Sequence, residues 1–127
     1  MLYLDSSALV KLVLAERETV ALRAWAEGRP LASSAVAVTE MLRTVRRADP
    51  DREPEARLIL TALALVDLSR DLLERAAEVA PLMLRSLDAI HIATALALGD
   101  ELEALVTYDA RMADAARLAG LRVDAPA

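Results

Sequence analysis

Residues 1–15, MLYLDSSALVKLVLA, decide how the rest of this chain is read. Met1 to Leu4 is a short apolar run with the look of a strand, and Asp5-Ser6-Ser7 follows at once with residue types that cap helices. From there the apolar residues take helical spacing to about Ala15, with Ser6 or Ser7 available as the cap. A strand that feeds directly into a helix is the building unit of parallel sheets, because a parallel neighbour can be reached only by a crossover connection.

The unit recurs along the chain. Arg17 to Glu27 has helical spacing that stops at Gly28 and Pro30, and Leu31 to Ser33 reads as a second strand. Ser34 caps a helix to about Arg47, the Asp49-Pro50-Asp51 turn follows, and another helix starts near Pro54. Leu63 to Leu68 is a third strand, although its apolar run begins earlier, in the helix-like Leu58-Ile59-Leu60. Ser69 caps a helix to about Val79, which Pro81 breaks. Ser86 to Leu98 is apolar nearly all round apart from Asp88 and His91, which predicts a buried helix ended by Gly99. Ala104 to Thr107 is a fourth strand, Ala110 to Ala119 a helix closed by Gly120, and Leu121 to Val123 a last strand. Strands alternating with helices predict an α/β fold, with a short parallel sheet of about five strands covered on both faces. A length of 127 residues, with no repeat, low-complexity segment or linker, suits one domain over 1–127.

Composition removes several classes of function. With no cysteine there is no disulfide framework, thiolate zinc site or Cys nucleophile, which fits a reducing cytoplasm. Asp5 interrupts any N-terminal leader, and no window approaches the roughly 18 uncharged apolar residues of a membrane span. A net charge of −5 argues against a nonspecific nucleic-acid binder. The basic residues are nonetheless all Arg except Lys11, and Arg forks match phosphate oxygens, although a GC-rich genome produces the same bias. Hydrophobic residues make up 56% of the chain with no Phe, more aliphatic surface than so small a body buries easily, and this predicts a homodimer or an obligate partner.

Four acidic residues stand beside apolar runs: Asp5, Glu40, Asp88 and Asp109. Each has an ordinary explanation alone. Asp5 and Asp109 can cap helices, Asp88 can complement a helix dipole, and Glu40 can pair with Arg43 at i+3. Needing all four explanations together weakens them, because carboxylates next to core elements lose hydration and call for a compensating charge. Two carboxylates about 5 Å apart repel by roughly 3 kcal/mol at an effective dielectric near 20, so a convergent set needs protons or a hard cation. In an open parallel sheet, ligands bind beyond the carboxyl ends of the strands where strand order reverses, and Asp5 and Asp109 both follow strands. If the first and fourth strands are neighbours, these two carboxylates face each other.

The opening LDSSALVKL (4–12 with Leu4 first), TEMLR (39–43), SLDAIHIATA (86–95) and VTYD (106–109) together resemble PIN-domain proteins, specifically VapC-type toxins of bacterial toxin–antitoxin pairs. The four blocks span the chain in the family's order. The resemblance implies a three-layer α/β/α sandwich and a magnesium-dependent endoribonuclease whose acidic site uses Asp5, Glu40, Asp88 and Asp109, with manganese as a substitute ion. It also implies a homodimer and a cognate antitoxin whose tail blocks the site. Many relatives carry a further acid three positions after the residue matching Asp109; here that position is Met112, with Asp114 two residues on, which puts a complete second metal site in doubt.

Within that frame Asp5, Asp88 and Asp109 are the expected metal ligands, and Glu40 completes the outer shell or accepts a proton. Ser7 and Thr107 can orient the carboxylates by hydrogen bonds, with helix capping and turn formation as their alternative uses. Arg43 and Arg47, at i+3 and i+7 from Glu40, can guide an RNA backbone, whereas His91 reads as a satisfied core residue. A receiver domain would need a late-strand Lys, and a haloacid-dehalogenase-type phosphatase an Asp where Ser7 stands. The stronger rival is a catalytically silent PIN-like module that only binds a partner.

Overall fold

The computed structural model describes residues 1–127. Its regular elements are β1 (Leu2–Leu4), α1 (Ser6–Val13), α2 (Thr19–Ala26), β2 (Leu31–Ser34), α3 (Val36–Ala48), α4 (Glu53–Ala62), β3 (Ala64–Val66), α5 (Arg70–Ala77), α6 (Ser86–Ala97), β4 (Ala104–Val106), α7 (Ala110–Leu118) and β5 (Val123–Asp124). Short 3₁₀ turns occupy Pro50–Arg52 and Gly99–Glu101. The five strands form one sheet in the order β3-β2-β1-β4-β5, and every pairing is parallel. The predicted α/β architecture is therefore the observed one.

Alternation along β1 builds three layers. Leu2 and Leu4, with Ala104 and Val106 beside them in register, pack under α1 to α4 through Ala8, Leu9, Val13, Leu22, Met41, Val45 and Leu60. Tyr3 and Leu105 point the other way, into α6 and α7 through Ile92, Ala95, Met112, Ala115 and Ala116. α5 lies outside α6, joined to it by Leu72, Ala76, Ala89 and Ala93. All three residues of β1 and of β4 are fully buried, as expected of central strands in a sheet with both faces covered. No helix is long and apolar enough to cross a membrane.

Several boundaries differ from the sequence reading. Asp5, not a serine, caps α1: its Oδ1 accepts from the Ala8 N–H at 3.1 Å, and Ser6 and Ser7 enter the first turn with their hydroxyls free for other partners. α3 begins at Val36 with no side-chain cap, although Ser34 Oγ still accepts from the Val36 N–H at 3.3 Å. Ser69 does cap α5, accepting from the Leu72 N–H at 3.0 Å. β5 lies at Val123–Asp124, later than the run Leu121–Val123, because Gly120 at φ +88° and the turn after α7 use up the first residues of that run.

Candidate active site

The strand order places β1 and β4 side by side at the centre, with Leu4 opposite Val106, so the residues that follow them leave the same edge of the sheet together. Asp5 is 4% exposed and has both oxygens engaged. Ser7 donates to Oδ1 at 2.6 Å, and Thr107, the first residue after β4, donates to Oδ2 at 2.5 Å. Each hydroxyl has one proton, and both protons point at Asp5, so the 3.3 Å approach of Ser7 to Thr107 is a contact between acceptors. The spare lone pairs tie down the next turn: Ser7 Oγ accepts from the Tyr108 N–H at 3.0 Å and Thr107 Oγ1 from the Asp109 N–H at 3.1 Å. Ser7 and Thr107 thus orient Asp5 and the loop that carries Asp109.

Burial raises the Asp5 carboxyl above its ordinary pKa of 3.8, against the lowering effect of the bonds from Ser7, Thr107 and the Ala8 N–H. Those hydrogen bonds do not offset the loss of hydration. Asp5 is a carboxylate that lacks a cation in direct contact.

Asp109 caps α7, with Oδ1 accepting from the Arg111 and Met112 N–H groups at 2.9 and 3.2 Å. Its Oδ2 faces Arg85 Nη2 at 3.4 Å, while Arg85 Nε donates to Asp88 Oδ2 at 3.1 Å. The capping explanation of Asp109 is correct, and only one of its oxygens is used for it. Asp88 stands in the first turn of α6 with its side chain 14% exposed, and Arg85 ties it to Asp109 across the mouth of the site.

Glu40 does not pair with Arg43. Its Oε1 accepts from Ser6 Oγ at 2.7 Å and lies 2.6 Å from His91 Nε2, and His91 Nδ1 lies 2.7 Å from the Tyr3 hydroxyl. Burial pushes the Glu40 carboxyl up, but the bonds from His91 and Ser6, helped by the charge of Arg85, outweigh it and hold the group below its ordinary value. Glu40 is therefore ionised where Asp5 is strained toward protonation.

All four predicted acids border one end of the molecule, linked by Thr107, Arg85 and the Ser6–His91 pair. They do not meet at one point: no three His, Cys, Asp or Glu side chains stand at spacing that holds a metal ion. The guanidinium of Arg85 lies between two of them instead. The donor set itself suits a hard cation, being oxygen-only, and the uncompensated buried Asp5 is the group such an ion would relieve. Met112 is fully buried in the core, and Asp114 is exposed, 3.7 Å from Arg117.

Arg43 and Arg47 are exposed on α3 and form no ion pair, whereas Arg46 beside them is taken by Glu53. The sequence reading missed Ser6, Tyr3 and Arg85 and gave His91 a core role only. Two of these had a signal: Ser6 follows a capping Asp, and His91 stands one turn after Asp88 on the most apolar helix.

A family model described as PIN domain matches residues 2–118. Over 98% of the chain the sequence is 44% identical to Ribonuclease VapC46 of Mycobacterium tuberculosis, covering 97% of that protein. Among solved structures, Mycobacterium tuberculosis VapC20 superposes with a TM-score of 0.79 at 19% identity, over 99% of this chain and all of that one. A toxin–antitoxin complex from Klebsiella pneumoniae gives 0.65 at 26% identity, over 86% of this chain and 87% of its own.

Proposed function

This chain belongs to the PIN domain family, and from that premise we propose that it is a metal-dependent endoribonuclease, the toxin of a toxin–antitoxin pair acting in the cytoplasm. That relatives over nearly the whole chain are named ribonucleases supports the reaction class. The observation that carries the reading is Asp5: a buried, desolvated carboxylate at the junction of the two central strands, with Asp109, Asp88 and Glu40 bordering the same end of the molecule. A catalytically silent module would have no use for that charge.

Asp5, Asp88 and Asp109 would hold magnesium, or manganese in its place. Such an ion, when bound, supplies charge neutralisation at the scissile phosphate and makes water a better nucleophile. The protein's own groups do the rest. Glu40, ionised, accepts the proton of the attacking water as the water oxygen forms the new bond to phosphorus, and the bond to the leaving ribose oxygen breaks with that oxygen taking a proton from solvent water. Ser7 and Thr107 keep Asp5 in one orientation. Arg85, exposed at the mouth, offers its fork to the phosphate, and the unpaired Arg43 and Arg47 guide the RNA backbone despite the acidic total.

The partners follow from exposed apolar surface. Leu82 and Met83, between α5 and α6, are 80% and 93% exposed, and Val20 and Leu58 lie open elsewhere. These support a homodimer and a cognate antitoxin as the contacts that cover them. The function is tested by incubating purified protein with structured RNA and magnesium. Cleavage that disappears with EDTA and in Asp5→Asn is expected; a pure preparation inert on every RNA class with both ions overturns the reading.

A further inference from the structure

We propose that His91 is a positioning residue that pins one oxygen of Glu40 so that the other is presented to the reaction; the inference rests on the nuclease reading above. His91 is 1% exposed, on a helix that packs against one face of the sheet, while Glu40 belongs to a helix on the other face. The 2.6 Å approach of Nε2 to Glu40 Oε1 joins the two layers at the sheet edge. Nε2 faces an ionised carboxylate and therefore carries a proton, whatever the charge of the ring. At the other end the Tyr3 hydroxyl, on the fully buried central strand, meets Nδ1 at 2.7 Å, and the two rings stand edge to face with centroids 5.8 Å apart. The imidazole is gripped on both sides and cannot rotate.

Both protein bonds to Glu40, from Ser6 and from His91, end on Oε1. Oε2 has no protein partner, and it is not among the buried atoms left without one, so it reaches solvent. A buried histidine that merely needed satisfaction would not require a second-layer acid with one oxygen left open. The asymmetry assigns Oε2 as the atom that receives the proton and gives Oε1 the anchoring role.

The test is a double-mutant cycle on RNA cleavage. His91→Leu is expected to lower kcat about 10- to 100-fold while changing KM less than about threefold, the range typical of groups that orient a functional side chain. His91→Gln, whose amide N–H reaches toward Glu40, recovers most of that loss. In a Glu40→Gln background His91→Leu costs little more, because the group it orients no longer works. If His91→Leu does not fold, Tyr3→Phe, which keeps the ring and removes the hydroxyl, completes the same cycle. Equal losses in both backgrounds, or a lowered melting temperature with kcat intact, overturn the positioning role. An inert wild type overturns the nuclease reading and this inference with it, whereas an active wild type with additive variants overturns this inference alone.

Discussion

The inner and outer halves of the site are built differently. Asp5 and Glu40 are held by hydroxyls and a ring that the core itself supplies, Ser7, Thr107, Ser6, His91 and Tyr3. Asp88 and Asp109 are held together by one exposed guanidinium, with longer bonds of 3.1 and 3.4 Å. An inner group therefore keeps its geometry as long as the protein is folded, whereas the outer pair depends on a side chain that water and ligands can move. The inner carboxylates are thus oriented by the fold, and the outer pair by a movable ion pair.

The sharpest way to break this contrast is Asp5→Asn. Activity should fall by on the order of 10²–10⁴, the usual contribution of a group working directly in the reaction. The same change should raise the melting temperature of the metal-free protein at neutral pH. The sign follows from the direction of the shift: with the folded pKa above the unfolded 3.8, the native state holds more protons between the two values, and stability is lost as pH rises through the folded pKa. Metal-free wild type should thus melt lower at pH 7 than near pH 4 by more than Asp5→Asn does. A variant that melts lower than wild type at neutral pH would show that Asp5 is a well-compensated cap.

Magnesium titration comes next in size. At about 100 times its dissociation constant the ion should stabilise the fold by about 2.7 kcal/mol, read as a rise in melting temperature that Asp5→Asn abolishes. Arg85→Ala sharpens the comparison from the other side. Removing the competing guanidinium should lower the magnesium concentration needed for half of that rise, while raising KM for RNA; an unchanged magnesium midpoint would place Arg85 outside the ion's path. Arg43→Ala with Arg47→Ala should weaken RNA binding and reduce the slope of log affinity against log salt by about 1–2 with kcat little changed. The smallest effect belongs to Glu53→Gln. Hydrogen bonds from Arg46 and then Arg57 hold Glu53 down to about 2, but the pair lies at the surface where solvent screens it, so melting at pH 7 should hardly move and cleavage not at all.

Much of the fold was legible because its signals are local. Short apolar runs followed by capping residues located the central strands, and the acids placed after two of them do leave the same edge of the sheet. Asp5 and Asp109 proved to be helix caps whose second oxygens meet other partners, and sequence spacing cannot separate the two uses because one carboxylate has two oxygens. His91 and Arg85 were not legible in these roles for a different reason. The telling partners lie far off in the chain, 51 residues for His91 and Glu40 and 24 for Arg85 and Asp109, and no periodicity records a bond across layers, while the local bond from Arg85 to Asp88 reads as an ordinary i,i+3 pair. Met112 was read from its identity alone, and its burial explains why an acid there would have to enter the core.

The bond from Thr107 to Asp5 spans 102 positions and joins strands at the middle of the sheet. An emerging chain has only the local bonds from Ser7 and the Ala8 N–H to one oxygen of Asp5, and the Thr107 hydroxyl for the other follows 102 positions later. Until residues 104–109 have emerged, β1 has an empty side and Asp5 Oδ2 lacks its donor. The arrangement around Asp5 is consequently complete only once β4 has joined the sheet.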